Sequence, residues 1–200
     1  MKNLKNKFIF WVVLLIILII ASQIYRALWS ERRDVSSYAT LIQWEGFLNQ
    51  KTLITQQKTK IQTGDTLKTG SGIIVIEWGE WSITRLGNET TLLVKEESIS
   101  QNVREIKIAT ELLSGKSWSK IITTLEENSY FKQYFDNIEA GVRGTTFDVD
   151  LSSQTVFVEN HEIELKNKDG KIVTIPENTP FSLSSFSFIE LQKYLSDIQD

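Results

Sequence analysis

Side chains able to do chemistry are sparse in this chain, and their spacing suits structure better than reaction. His161 is the only histidine of the 200 residues. It falls in a turn expected between Val158 and Ile163, and a nucleophile–base pair would have to use it. No serine lies in a nucleophile-elbow pattern that could supply the other half. Cysteine is absent, which removes thiolate nucleophiles, disulfides and sulfur-ligated metals together. Carboxylates come in near pairs: Glu77/Glu80, Glu96/Glu97, Asp148/Asp150 and Glu162/Glu164. Such pairs could hold calcium or serve a glycosidase. No calcium-loop spacing with its glycine accompanies them, however, and acids alternating along a strand are its wet face. The expectation is therefore no catalytic residue, no metal site and no cofactor.

Two other groups carry sharper expectations. The run Gly141-Val142-Arg143-Gly144-Thr145-Thr146-Phe147-Asp148-Val149 alternates after its second glycine, with Phe147, Val149 and Leu151 on one face and Thr146, Asp148 and Asp150 on the other. A period of two marks a half-buried strand. Two glycines just before it mark backbone that bends or passes close to another segment. Arg143, between them, reads as a structural arginine paired with a carboxylate and backbone carbonyls, locking the bend. Gly141, Arg143, Gly144, Thr145 and Phe147 thus form a structural motif. The second group is Trp78 and Trp81, which flank Gly79-Glu80. A two-residue turn there would make them cross-strand neighbours, either a hairpin-stabilising pair or an exposed stacking platform for sugar rings or a partner protein.

These groups must be positioned by strands. Ile73-Ile74-Val75-Ile76 suits a strand buried on both faces. Gly87-Asn88 turns the chain before Thr91–Val94, and Val103–Ala109 alternates. Glu162–Leu165 and Lys171–Ile175 are joined by Lys168-Asp169-Gly170, a strong hairpin signal. Turns this close together, with no long helices between them, predict a mainly β, antiparallel, hairpin-built sandwich or solenoid-like domain over residues 38–183. A brief helical turn is expected near Lys120–Leu125, then a strand across Tyr130–Asp136. Residues 184–200 are expected to form a short amphipathic helix: Ser187 to Glu190 has capping-box spacing, and Phe188, Leu191, Leu195 and Ile198 follow at helical intervals.

The amino terminus is of another kind. Phe8 to Tyr25 is uncharged and nearly continuous in Ile, Leu, Val and Phe up to Ala21. As a helix, 18 such residues would span roughly 27 Å, close to the hydrocarbon thickness of a bilayer. Trp11 and Trp29 lie near its ends, where amphipathic rings prefer the interface. A signal peptide cut after Ala21 would place bulky Ile19 three residues back, so an uncleaved anchor is the better reading. Residues 1–7 then form a cytoplasmic tail, 8–25 the transmembrane helix and 26–37 a juxtamembrane linker. Removing the six basic residues and one acid of the first 33 positions leaves 16 basic and 24 acidic residues, a net charge of −8. An acidic domain repels phosphate backbones and makes nucleic acid a poor partner.

Taken together, these motifs resemble the FecR-like family, whose pattern runs through a Val-Arg-Gly-Thr-x-Phe core into a hydrophobic strand. Gly64-Asp65-Thr66-Leu67-Lys68-Thr69-Gly70 resembles its Gly-Asp-x-Leu-x-Thr-Gly segment. Gly79–Leu86 and Leu112–Trp118 resemble two further segments in the same order. Asn160-His161 departs from the family, which often turns with glycine there. The resemblance covers roughly Ala39 to Leu183. It implies an all-β binding module at the bacterial cell membrane, single-pass, with its carboxyl-terminal domain outside, working by protein–protein interaction or signal sensing. A tethered carbohydrate- or cell-wall-binding module is the alternative. The family's sigma-regulating amino-terminal domain is not carried over, because only seven residues precede the apolar segment.

Overall fold

The computed structural model describes residues 18–23, 36–43, 45–79, 82–100, 105–122, 127–190 and 194. The chain divides into two units, Met1–Asp34 and Val35–Asp200. Of the first, residues 18–23 are helical, with Leu18, Ile19 and Ile20 exposed. Among the described residues no helix is long and apolar enough to cross a membrane. The rest of the expected 8–25 helix, with Trp11 and Trp29, lies outside the described residues.

Among the described residues the second unit holds eighteen strands in two nine-stranded sheets. The chain deals its hairpins alternately to the two sheets. Sheet A receives β1 (Tyr38–Gln43), β4 (Lys58–Lys60), β6 (Ile73–Trp78), β7 (Ser82–Leu86), β10 (Lys116–Ile121), β13 (Thr146–Asp150), β14 (Thr155–Asn160), β17 (Thr179–Ser182) and β18 (Ser187–Phe188). Sheet B receives β2 (Gly46–Leu48), β3 (Lys51–Thr52), β5 (Thr66–Thr69), β8 (Thr91–Ser100), β9 (Glu105–Ser114), β11 (Tyr130–Phe135), β12 (Ile138–Val142), β15 (Ile163–Lys166) and β16 (Ile172–Ile175). Every pair of strands is antiparallel except β9 and β11, which run parallel because β10 crosses to the other sheet between them. Inward-facing side chains of both sheets form one core, from Ala39 and Leu41 through Trp78, Leu92, Ile108 and Phe131 to Val158, Leu165 and Phe181.

Several boundaries move. Ser36 and Ser37, expected in the linker, are buried. The Ser37 hydroxyl donates to Glu97 at 2.9 Å and its carbonyl accepts from Ile61 N at 3.0 Å, so they belong to the β unit. Lys120 and Ile121 end β10 instead of opening a helical turn, and 123–126 lie outside the described residues. The strand expected at Tyr130–Asp136 is β11, closed by Asp136-Asn137, both in the left-handed region (φ 44° and 64°) that a two-residue hairpin needs. At the carboxyl end, Phe188 opens no helix. It pairs with Phe181 as part of β18, and helical geometry enters later, where Tyr194 N donates to Glu190 O at 3.0 Å. Leu191, Leu195 and Ile198 lie outside the described residues.

A polar seam runs through the middle of the core. The Trp78 indole donates to Thr84 Oγ1 at 2.9 Å, Thr84 contacts Ser119 Oγ at 3.0 Å, and Gln133 of the facing sheet donates to Ser117 Oγ at 3.0 Å. All five side chains are buried. The Gln133–Ser117 bond joins the two sheets, and the other two lie within sheet A; with Ser117 and Ser119 held inward, β10 turns Trp118 outward.

Candidate functional site

The Gly141–Phe147 motif is where the chain passes from sheet B to sheet A. β12 ends at Val142, β13 starts at Thr146, and Gly144 between them has φ +67°, a conformation β-branched side chains resist. The fastening is done by Thr145. Fully buried, its hydroxyl lies 2.7 Å from Glu162 O and 3.1 Å from Arg143 O, while its carbonyl accepts from Ile121 N at 2.9 Å. It thereby ties this crossing to the neighbouring one, in which His161-Glu162 returns the chain from β14 to β15. His161 itself sits at φ +62°, in the left-handed region that glycine adopts most readily. Phe147 and Val149 are fully buried, as the alternation requires.

Arg143 does not lock the bend. Its side chain is exposed and makes no hydrogen bond or ion pair among the described residues. The bend turns its neighbour's hydroxyl inward and the guanidinium outward. Arg143→Ala is accordingly expected to change stability by no more than about 0.5 kcal/mol. Thr145→Val takes the hydroxyl donor from the Glu162 carbonyl and is expected to cost about 0.5–1.5 kcal/mol. Urea melts of the two variants check this.

The tryptophans also change place. Trp78 is 0% exposed, the largest fully buried side chain among the described residues, edge-on to Phe131 at 6.4 Å. It cannot offer a face to a ligand. Register pairs Trp78 with Ser82 across the hairpin, and Trp81 lies outside the described residues. The half-exposed ring is Trp118. Its sequence signal was the small-large-small order Ser117-Trp118-Ser119, which an assumption of apolar residues inward conceals.

The Arg143-Gly144 bend separates two open clefts. One, of about 670 Å³, lies on the outer face of sheet B. There Gly141, paired with Glu164, and Thr174 beyond it lie in one row across the strands. The glycine leaves the row without a side chain, and Arg143, His161, Glu162, Glu164 and Glu177 stand around the gap. The other, of about 570 Å³, is bounded by Trp118, Lys120, Ile122, Glu159 and His161. The Trp118 indole donates to Glu159 at 2.8 Å, and the Arg85 guanidinium sits 5.6 Å from the ring centre. Among the described residues no group of three His, Asp or Glu side chains could hold a metal ion.

Sheet A carries a row of cross-strand neighbours, Arg85, Trp118, Asp148, Phe157 and Pro180. Tyr194 stacks on Phe157 with ring centres 5.3 Å apart and 13° between planes. Burial, then the charges of Glu159 and Asp150, push the Asp148 carboxyl up to about 7 against the pull of Lys116. Burial, then the charges of Asp148, Asp150 and Glu159, push the Tyr194 hydroxyl up to about 12. An unfolded aspartate titrates near ~3.9. Between about pH 4 and pH 7 the folded chain therefore keeps a proton that the unfolded chain has released, and stability falls as pH rises through that window. Asp148→Asn is expected to flatten this slope. It should stabilise the fold at pH 8 by about 1–3 kcal/mol and change little at pH 4, read from denaturant midpoints at the two pH values.

The fold and these surfaces define a class: an all-β module of two facing sheets with open, polar clefts at its chain crossings. No family model matches the chain, and no curated protein matches it. Two crystal structures, both of a candidate anti-sigma factor from Parabacteroides distasonis ATCC 8503, are similar in backbone. At 13% and 14% identity their TM-scores are 0.48 and 0.44. The match covers 67% and 70% of this chain and spans 64% of the length of each of those chains.

Proposed function

We propose that this chain is a membrane-anchored, extracytoplasmic binding module of the FecR-like kind, which holds a partner protein in the bacterial cell envelope and turns over no substrate. The observation that carries the reading is the Arg143 guanidinium, exposed without a partner among the described residues at the rim of the sheet-B cleft. A charge left unpaired beside Glu162, Glu164 and Glu177 suits recognition by a polar partner surface. The exposed Leu18, Ile19 and Ile20 of the helical segment support an apolar environment for the amino-terminal unit.

Protease treatment of intact cells and of spheroplasts tests the topology: a carboxyl-terminal unit cleaved only after the outer layers are opened is expected. A unit that stays protected in spheroplasts overturns the reading. Within the envelope, Arg143→Ala should keep its fold and lose cross-linking to the partner.

Trp118 favours a second reading, a wall-glycan module, since its half-exposed ring borders a cleft. Co-sedimentation with purified cell wall separates the two, because only the glycan module loses wall binding on Trp118→Ala.

A further inference from the structure

We propose that the free edge of β16 accepts one extended strand of a partner protein, with a basic side chain of that strand seated over Thr174 towards Glu164. The proposal rests on the binding-module reading and names where and how the partner docks.

Among the described residues each sheet ends in two edges, and three of the four are blunted. β18 and β3 are two residues long, and β4 is Lys58-Thr59-Lys60, with lysine at both ends. Short or lysine-bearing edges resist pairing with a foreign strand. The fourth edge, β16, reads Ile172-Val173-Thr174-Ile175, uncharged and β-branched throughout, with Ile172 54% exposed.

Its backbone is aimed outward. In the β15–β16 hairpin, Asn167 N donates to Lys171 O at 3.0 Å, so that pair is hydrogen-bonded. Antiparallel pairs alternate, which makes Leu165–Val173 and Ile163–Ile175 hydrogen-bonded as well. The amides and carbonyls of Ile172 and Thr174 therefore point away from β15, towards the free edge. Main-chain bonds of this kind supply affinity in strand addition, and alternate side-chain positions supply selection.

Charge chooses the occupant. A residue set opposite Thr174 extends the row Gly141, Glu164, Thr174, in which the Glu164 carboxylate is exposed and makes no ion pair among the described residues. A lysine or arginine there can reach back across the threonine. The residue opposite Ile172 meets an exposed isoleucine, and the one opposite Val173 lengthens the core edge, so both favour apolar side chains. A second copy of this chain fits worse. Pairing centred on Val173 sets Asp169 towards Glu177 of the other copy, and pairing centred on Thr174 sets Ile172 opposite Pro176, which has no N–H to donate.

The probe is a fluorescent hexapeptide, Ser-Val-Lys-Val-Val-Thr, titrated into the full chain in detergent micelles. Saturable binding is expected, at least tenfold weaker when the peptide lysine is replaced by glutamate, and lost when its strand-facing amides are methylated. Thr174→Pro removes only an outward N–H and should melt like the unsubstituted chain yet bind no peptide. Should Thr174→Pro fail to fold, Ile172→Lys, a surface change, is expected to weaken binding at least tenfold. No saturable binding by the unsubstituted chain overturns the proposal. So does equal binding by the folded edge variants, or a dimer that Thr174→Pro dissociates while the peptide does not bind. A Thr174→Pro chain that still cross-links to its envelope partner sinks strand addition and leaves the binding-module reading standing. Protection of the carboxyl-terminal unit in spheroplasts does the reverse.

Discussion

Gly115→Ala is expected to unfold the β unit or to cost more than about 3 kcal/mol. Gly115 joins β9 to β10, and so carries the chain from sheet B to sheet A, at φ +79°. L-residues pay for that region by crowding their own backbone. A β-carbon there would also lie 2.4 Å from Thr90 Oγ1, 2.6 Å from Thr90 Cα and 2.7 Å from Glu89 O. Two of those three atoms are main chain, which cannot swing aside as the end of a side chain can. The surroundings are already tied: Thr90 Oγ1 contacts Lys116 N at 3.0 Å and Lys116 O at 3.1 Å, and Leu151 N donates to Gly115 O at 3.0 Å. Relieving the clash would therefore break bonds on both sides of the crossing. Circular dichroism and thermal melts of Gly115→Ala, with the exposed Gly170→Ala as control, decide the matter. Gly170 shares the positive φ (+78°), but a β-carbon added there would meet nothing within 4 Å, so the control isolates the steric part from the conformational part. Equal midpoints for the two variants would refute the argument.

Trp78→Ala is expected to cost about 3–5 kcal/mol, the range for emptying a fully buried aromatic site. The indole fills the space between the sheets against Phe131, and it gives the Thr84 hydroxyl a hydrogen bond. Thr84 and Ser119 would still hold each other, so most of the loss should come from the cavity. Trp118→Ala, on the outer face of the same sheet, is expected to stay within about 1 kcal/mol. Reversible urea unfolding followed by far-ultraviolet circular dichroism measures both. A Trp78→Ala chain as stable as the unsubstituted one, with altered ligand binding, would return this residue to the surface role that its position beside a turn suggested.

Much of the architecture followed from local rules that the sequence states directly. The alternation from Thr146 to Asp150 placed Phe147 and Val149 in the core, because a strand sends successive side chains to opposite faces. Lys168-Asp169-Gly170 marked the β15–β16 hairpin, whose glycine takes φ +78° as such a turn demands. The mainly β, hairpin-built architecture followed from closely spaced turns without long helices; whether the hairpins formed a sandwich or a solenoid did not.

What the sequence could not decide was which partner each polar or aromatic residue meets across the sheets. Arg143 and Thr145 are two positions apart in one motif, and either could have fastened the bend. Only the neighbouring crossing, which presents the Glu162 carbonyl 2.7 Å from the Thr145 hydroxyl, settles it. Trp78 and Trp118 both stand on strands of sheet A. One faces inward, where Thr84, itself held by Ser119, accepts its N–H. The other faces outward because Ser117 is needed by Gln133. Local periodicity reports which side chains share a face. The face that becomes core, and the charge left unpaired outside it, depend on long-range contacts that one strand's sequence does not contain.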